Sequence, residues 1–154
     1  MRFWIAAGGT GGHVYPAVSV VQALQDIDPG VPLTWIGGKG GMEAELVARI
    51  GVPFTAIPAG GVHGVGLSRA LTNVWQLLRG FLTAWQLLRR ERPAAVLTTG
   101  GYVSVPVALA AWLHRVPVLL YLPDIEPGLS FRWVARLATR VAVTVADSRQ
   151  FLPA

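Results

Sequence analysis

Nine residues near the N-terminus, Gly8-Gly9-Thr10-Gly11-Gly12-His13-Val14-Tyr15-Pro16, restrict this chain more than any other stretch. The apolar run Phe3-Trp4-Ile5-Ala6-Ala7 leads into them, and Val18, Val21 and Leu24 come after at helical spacing. The order is strand, glycine loop, helix, with the helix expected from about Pro16 to Asp26. Glycines let a ligand approach the main chain closely. A helix that starts beyond such a loop turns its unpaired N–H groups and positive dipole end toward it. The product is a site for an anion, phosphate or diphosphate. The plain alternative is a tight turn with no ligand, but four glycines in five residues and an imidazole exceed what a turn requires.

The rest of the chain is built from further units of the same kind. Leu33–Ile36 reads as a second strand, Gly37–Gly41 as a second glycine loop, and Met42–Ile50 as a short helix that Gly51 stops. Phe54–Ile57 is a third strand, and the loop Ala59–Gly66 carries His63. Ser68 has the chemistry of an N-cap for a long helix running to Glu91, with Gly80 as its weak point. Ala95–Thr98 is a fourth strand, followed by Gly100-Gly101-Tyr102-Val103-Ser104-Val105-Pro106 and a helix to Leu113. This repeats the first loop: a glycine pair, a ring residue, a valine, and a proline opening a helix. Val118–Leu122 is a fifth strand, Pro123–Gly128 an acidic loop, Leu129–Ala138 a helix and Val141–Val145 a sixth strand, with Asp147 and Ser148 as caps for the next segment.

Alternating strands and helices specify an α/β, doubly wound parallel sheet of the Rossmann-like kind. In the strand order 3-2-1-4-5-6, strands one and four are neighbours at the switch point, where open sheets bind ligands. The two similar glycine loops come directly after those two strands, so they are expected side by side on the carboxyl rim.

Composition narrows the partners. Hydrophobic residues are 53% of the 154 and charged residues only 14%, with a net charge of +5. Mean hydropathy is +0.49. No apolar run reaches the roughly 18–20 residues of a membrane span, and the short first apolar run does not read as a signal peptide. The surplus apolar surface is expected to cover a partner domain or a membrane face. In the long helix, Leu71, Trp75, Phe81 and Trp85 belong to an apolar stripe wider than a core face requires, with arginines beside it. That composition suits an anionic membrane surface; a helix sandwiched between the sheet and another element is the alternative. The arginines are scattered, which disfavours nucleic acid. The chain has no cysteine, and His13, His63 and His114 lack metal-ligand spacing, so neither metal nor cofactor is expected. No nucleotide-hydrolysing P-loop occurs. The dinucleotide fingerprint fails at Val14, which stands where a third glycine belongs, and no acidic residue ends the second strand.

Gly8–Pro16, Met42-Glu43-Ala44-Glu45-Leu46-Val47 and Gly100–Pro106 resemble the N-terminal half of the MurG family, the lipid-linked N-acetylglucosaminyltransferases of peptidoglycan synthesis. The resemblance extends over essentially all of residues 1–154. It implies the N-terminal, acceptor-binding lobe of a two-lobed GT-B glycosyltransferase at the cytoplasmic face of the membrane. The donor lobe for UDP-N-acetylglucosamine would lie outside this chain, as its missing half or as a separate chain. The acceptor would be undecaprenyl-diphosphate-linked N-acetylmuramyl pentapeptide, glycosylated with inversion and with no covalent intermediate. Thr10, Gly11 and Gly12 match positions that touch the donor. His13 matches a general base or acceptor-orienting group, and imidazole exchanges protons near neutrality. Gly9, Gly11, Gly12, Gly100, Gly101, Tyr102 and Ser104 would hold the acceptor diphosphate. Where the family carries His-Glu-Gln-Asn after the fifth strand, this chain has Tyr121-Leu122-Pro123-Asp124, then Glu126. Asp124 stands in the place of the donor-facing asparagine, and Asp124 or Glu126 is a further candidate base. Two other readings remain: a non-catalytic membrane-recruitment subunit of a split enzyme, and a nucleotide-cofactor domain. Either lobe reading predicts no turnover by this polypeptide alone.

Overall fold

The computed structural model describes residues 1–60, 67–124 and 127–152, with side chains in the second segment from residue 72. Strands β1 (Phe3–Ala7), β2 (Leu33–Gly38), β3 (Phe54–Ile57), β4 (Ala95–Gly100), β5 (Val118–Leu122) and β6 (Arg140–Val143) form one sheet in the order β3-β2-β1-β4-β5-β6. Each pairing is parallel, and Ile5 lies between Trp35 and Leu97. This is the expected doubly wound sheet.

Both faces of the central strands are buried, which is why they read as unbroken apolar runs. Ile5, Ala7, Trp35 and Leu97 pack beneath helices α1 (Gly11–Ile27) and α2 (Glu43–Arg49), through Val14, Ala17, Val21 and Val47. Trp4, Ala6, Val96, Val118 and Leu120 face the opposite layer, made by α3 (Leu67–Glu91), α4 (Ser104–Leu113) and α5 (Leu129–Ala135). The two fully buried tryptophans keep their polar atoms satisfied. Trp35 Nε1–H donates to the Ala7 carbonyl at 2.9 Å and Trp4 Nε1–H to Glu91 at 3.0 Å. Glu91 also pairs with Arg2 at 3.2 Å, tying the end of α3 to the start of β1.

Several boundaries differ from expectation for local reasons. Helix α1 begins at Gly11, not Pro16, because Thr10 is extended and its carbonyl already accepts the N–H groups of His13 and Val14, both at 3.1 Å. Pro16 therefore sits inside the helix, where it has no N–H to offer the preceding turn. Ser68 lies within α3 and does not precede it. Helix α5 ends three residues early, with Val134 accepting the N–H groups of both Leu137 and Ala138. β6 closes at Val143. Asp147 and Ser148 fall inside a 3₁₀ turn, Ala146–Phe151, and neither caps it. Gly80 is a contact point and not a defect: a Cβ there would strike the Pro58 carbonyl.

Helix α3 carries two apolar stripes. Ala84 and Leu88 are buried, and Phe81 and Trp85 are half-buried against the core. The Trp85 ring meets that of His114, just beyond α4, at a 45° tilt with centroids 4.0 Å apart. Phe81 and Trp85, expected to face a membrane, therefore belong to the interior stripe. The outward stripe is Val74, Trp75, Leu78 and Leu82, and Trp75 is 61% exposed. The side chain of Leu71, and all of His63, lie outside the described residues.

Candidate functional site

The carboxyl rim brings the two glycine loops into contact. A Cβ on Gly101 would collide with the Gly8 carbonyl oxygen, so only glycine permits this approach, and its φ of +85° adds a second reason. Gly100, beneath it, packs against the His13 ring. His13 and Thr99 strap the loops together reciprocally. His13 Nδ1–H donates to the Thr99 carbonyl at 3.2 Å, and Thr99 Oγ1–H donates to the His13 carbonyl at 2.5 Å. A carbonyl only accepts, so Nδ1 carries a hydrogen, and Nε2 is the nitrogen left to face the cavity side of the ring. Thr99 had no distinguishing signal in sequence, because its partner is 86 residues away.

A cavity of about 430 Å³ opens above this junction. Gly8, Gly9, Thr10 and His13 form one side, Gly101 and Tyr102 the next, and Pro127–Ser130 with Arg132 the third. The leading N–H groups of α1, at Gly11 and Gly12, have no intrahelical partner by helix geometry, and the dipole of this 17-residue helix favours negative charge there. Arg132, from α5, brings a guanidinium to the cavity and was not singled out from sequence. Only the packing of α5 over the rim reveals it. Gly11 and Gly12 themselves do not line the cavity, so the arrangement offers an anionic ligand the dipole end of α1, the Arg132 side and the His13 ring.

The other expected site residues distribute unevenly. Ser104 is fully buried and its hydroxyl donates to the Gly101 carbonyl at 2.6 Å, so it shapes the loop instead of contacting ligand. Asp124 is exposed on the same rim but does not line the cavity; its main-chain carbonyl accepts Ser148 Oγ–H at 3.2 Å. Glu126 lies outside the described residues. Glu43, in the Met42–Val47 motif, is fully buried. It accepts the Gly38 N–H at 2.7 Å and the Gly9 N–H at 3.4 Å, and a Cβ at Gly8 or Gly41 would strike its carboxylate. Gly9 is thus committed inward through its N–H while its exposed face lines the cavity. Among the described residues no group of three or more His, Asp or Glu side chains is placed to hold a metal.

The three helices α3, α4 and α5 each leave a tryptophan exposed. Trp75 on α3, Trp112 on α4 and Trp133 on α5 are each more than half exposed, at 61%, 53% and 57%. Arg79, Arg89 and Arg136 are exposed on or beside the same helices, and Arg136 lies 5.4 Å over the Trp133 ring. Among the described residues, no helix is long and apolar enough to cross a membrane.

An open doubly wound sheet, with paired glycine turns at its switch point and a cavity on its carboxyl rim, is the architecture of a Rossmann-like α/β domain. The chain belongs to glycosyltransferase family 28: the family's N-terminal domain matches residues 3–143. It is 46% identical, over 99% of its length, to a UDP-N-acetylglucosamine–N-acetylmuramyl-(pentapeptide) pyrophosphoryl-undecaprenol N-acetylglucosamine transferase of Roseiflexus sp. (strain RS-1), and covers 39% of that protein. It is 41% identical to the protein of the same name from Symbiobacterium thermophilum, covering 41% of it. The crystal structure of Acinetobacter baumannii MurG superimposes with a TM-score of 0.84 at 31% identity, over 99% of this chain and 43% of that one. The chain thus spans about two fifths of the length of these relatives.

Proposed function

We propose that this chain is the acceptor- and membrane-binding half of a glycosyltransferase. The reaction moves N-acetylglucosamine from UDP-N-acetylglucosamine to undecaprenyl-diphosphate-linked N-acetylmuramyl pentapeptide. The observation that carries the reading is the Gly8–Gly101 contact, which makes one anion cup from two loops. The acceptor diphosphate lies in that cup, beside Arg132 and at the positive dipole end of α1. Thr10, Gly11 and Gly12 face the donor, whose nucleotide is held by a second lobe. His13 is the base. Its Nδ1–H is engaged by Thr99, so Nε2 takes the proton of the acceptor 4-hydroxyl as that oxygen attacks the anomeric carbon. The bond from that carbon to the UDP oxygen breaks on the opposite face, the electron pair leaves with UDP, and the configuration inverts. Asp124 is the weaker candidate base because it does not line the cavity.

Peripheral attachment at the cytoplasmic face suits a lipid-linked substrate. The outward stripe of α3, Val74, Trp75, Leu78 and Leu82, would rest at the interface, with Arg79 against anionic headgroups.

The competing reading, a recruitment module without catalytic residues, uses the same cup and the same apolar face. His13→Gln, assayed in residues 1–154 reconstituted with a donor lobe, separates the two. Loss of general-base assistance lowers the transfer rate by about 10²–10⁴-fold while pyrophosphate binding persists. A variant as active as the parent overturns the catalytic assignment and favours recruitment.

A further inference from the structure

We propose that Lys39 holds a second oxyanion of the acceptor, in a cavity distinct from the diphosphate cup. The inference rests on the acceptor reading above. The chain's 13 cationic side chains comprise 12 arginines and this single lysine. The lysine stands in the turn between β2 and α2, on the same rim as the cup. A cavity of about 160 Å³ lies there, between Lys39, Gly41 and Glu43 on one side and Gly8, Gly9 and Tyr102 on the other. Gly8, Gly9 and Tyr102 line both cavities, so they form the wall between them. A ligand seated in the cup has to cross only this wall to reach Lys39.

The turn is built rigidly. Lys39 N–H donates to the Ile57 carbonyl at 2.9 Å, and Gly41 N–H donates to the Gly38 carbonyl at 3.1 Å. Beneath it the Glu43 carboxylate is engaged by the Gly38 and Gly9 amides. Glu43 does not neutralise the lysine: among the described residues the one ion pair is Arg2–Glu91. Glycines at 38, 40 and 41 leave no side chain of their own to compete for the ammonium. Lys39 is exposed and lines this small cavity, and an ammonium recognises a compact oxyanion as a point charge, where a guanidinium would demand a planar fork. The acceptor's phosphoryl groups lie in the cup, so the occupant is a carboxylate of its peptide.

One lysine makes the test selective. Acetylation by a soluble N-hydroxysuccinimide ester, read by mass spectrometry, reports Lys39, with the N-terminal amine as internal reference. Three probes are added in turn: inorganic pyrophosphate, lipid-free N-acetylmuramyl-pentapeptide diphosphate, and the same headgroup with its peptide carboxylates methylated. The amide resonances of Gly11 and Gly12 report the cup in the same samples. At a probe concentration about ten times its Kd, Lys39 acetylation slows by about tenfold. Protection by the free-carboxylate headgroup alone identifies the carboxylate; equal protection by pyrophosphate or by the methylated headgroup overturns the inference, because Lys39 then answers to the diphosphate. Lys39→Gln weakens binding of the protecting probe by about tenfold, the worth of one charge-assisted contact, and Lys39→Arg restores part of that loss. Acetylation at the free rate in every arm, with the Gly11 and Gly12 amides shifted, overturns this inference and leaves the proposed function standing. The same rate with those amides unmoved overturns both.

Discussion

Replacing Gly101 with alanine tests the junction on which the site depends. Two penalties combine there. An L-residue at a φ of +85° costs about 1–2 kcal/mol. The new methyl also overlaps the Gly8 carbonyl oxygen, and an overlap that backbone must relieve costs about 1–3 kcal/mol more. The sum is about 2–5 kcal/mol, a large share of the roughly 5–15 kcal/mol that stabilises a typical domain. Gly40 is the internal reference. Its φ is +78°, but nothing lies within 4 Å of a Cβ there, so Gly40→Ala incurs the first penalty alone. Urea denaturation of the two variants, compared at equal m-value, isolates the collision as their difference. Pyrophosphate titration is run alongside, because pushing the loops apart opens the cup. Gly101→Ala is expected to lose more stability than Gly40→Ala and to bind pyrophosphate more weakly than the parent. Equal destabilisation by the two would show that the loops do not touch, and the single-cup argument would fail.

The packing predicts four further outcomes. Gly80→Ala lowers stability by about 1–2 kcal/mol despite alanine's better helix propensity, since the methyl meets the Pro58 carbonyl; a rise in the denaturation midpoint would contradict that contact. Changing Trp75, Leu78 and Leu82 together to serine reduces sedimentation with anionic vesicles and leaves the melting temperature nearly unchanged. Trp85→Ser has the opposite signature, a stability loss of about 1–3 kcal/mol with vesicle binding retained, and reversal of this pair would reassign the two stripes of α3. Glu43→Ala leaves the Gly38 N–H without its acceptor and costs about 1–3 kcal/mol, whereas Glu43→Gln, which keeps a carbonyl oxygen for that donor, costs less in the same denaturation assay.

The alternation of strands and helices was legible because parallel strands buried on both faces must be apolar throughout, and the intervening helices keep their own period. The recurrence of a glycine pair after strands one and four pointed to the rim for the same kind of reason, since strand order is set by chirality and short connections. The start of α1 was not legible. It depends on whether Thr10 is extended, and Gly11 and Gly12 carry no preference that decides it. Helix α3 shows the limit of composition. Its sequence has too much apolar surface for one stripe, but which half meets α4 is settled by where Trp85 finds His114.

Residue chemistry and local spacing determined that this chain would wind a parallel sheet and place glycine turns at its carboxyl rim. The contacts between Gly8 and Gly101, between His13 and Thr99, and between Glu43 and the first two glycine turns were decided only by the tertiary structure. So were the arrival of Arg132 at one cavity and Lys39 at the other. Pattern and propensity act over one turn or one strand, whereas these groups converge from distant parts of the chain, and only packing of the whole sheet sets the distance between them.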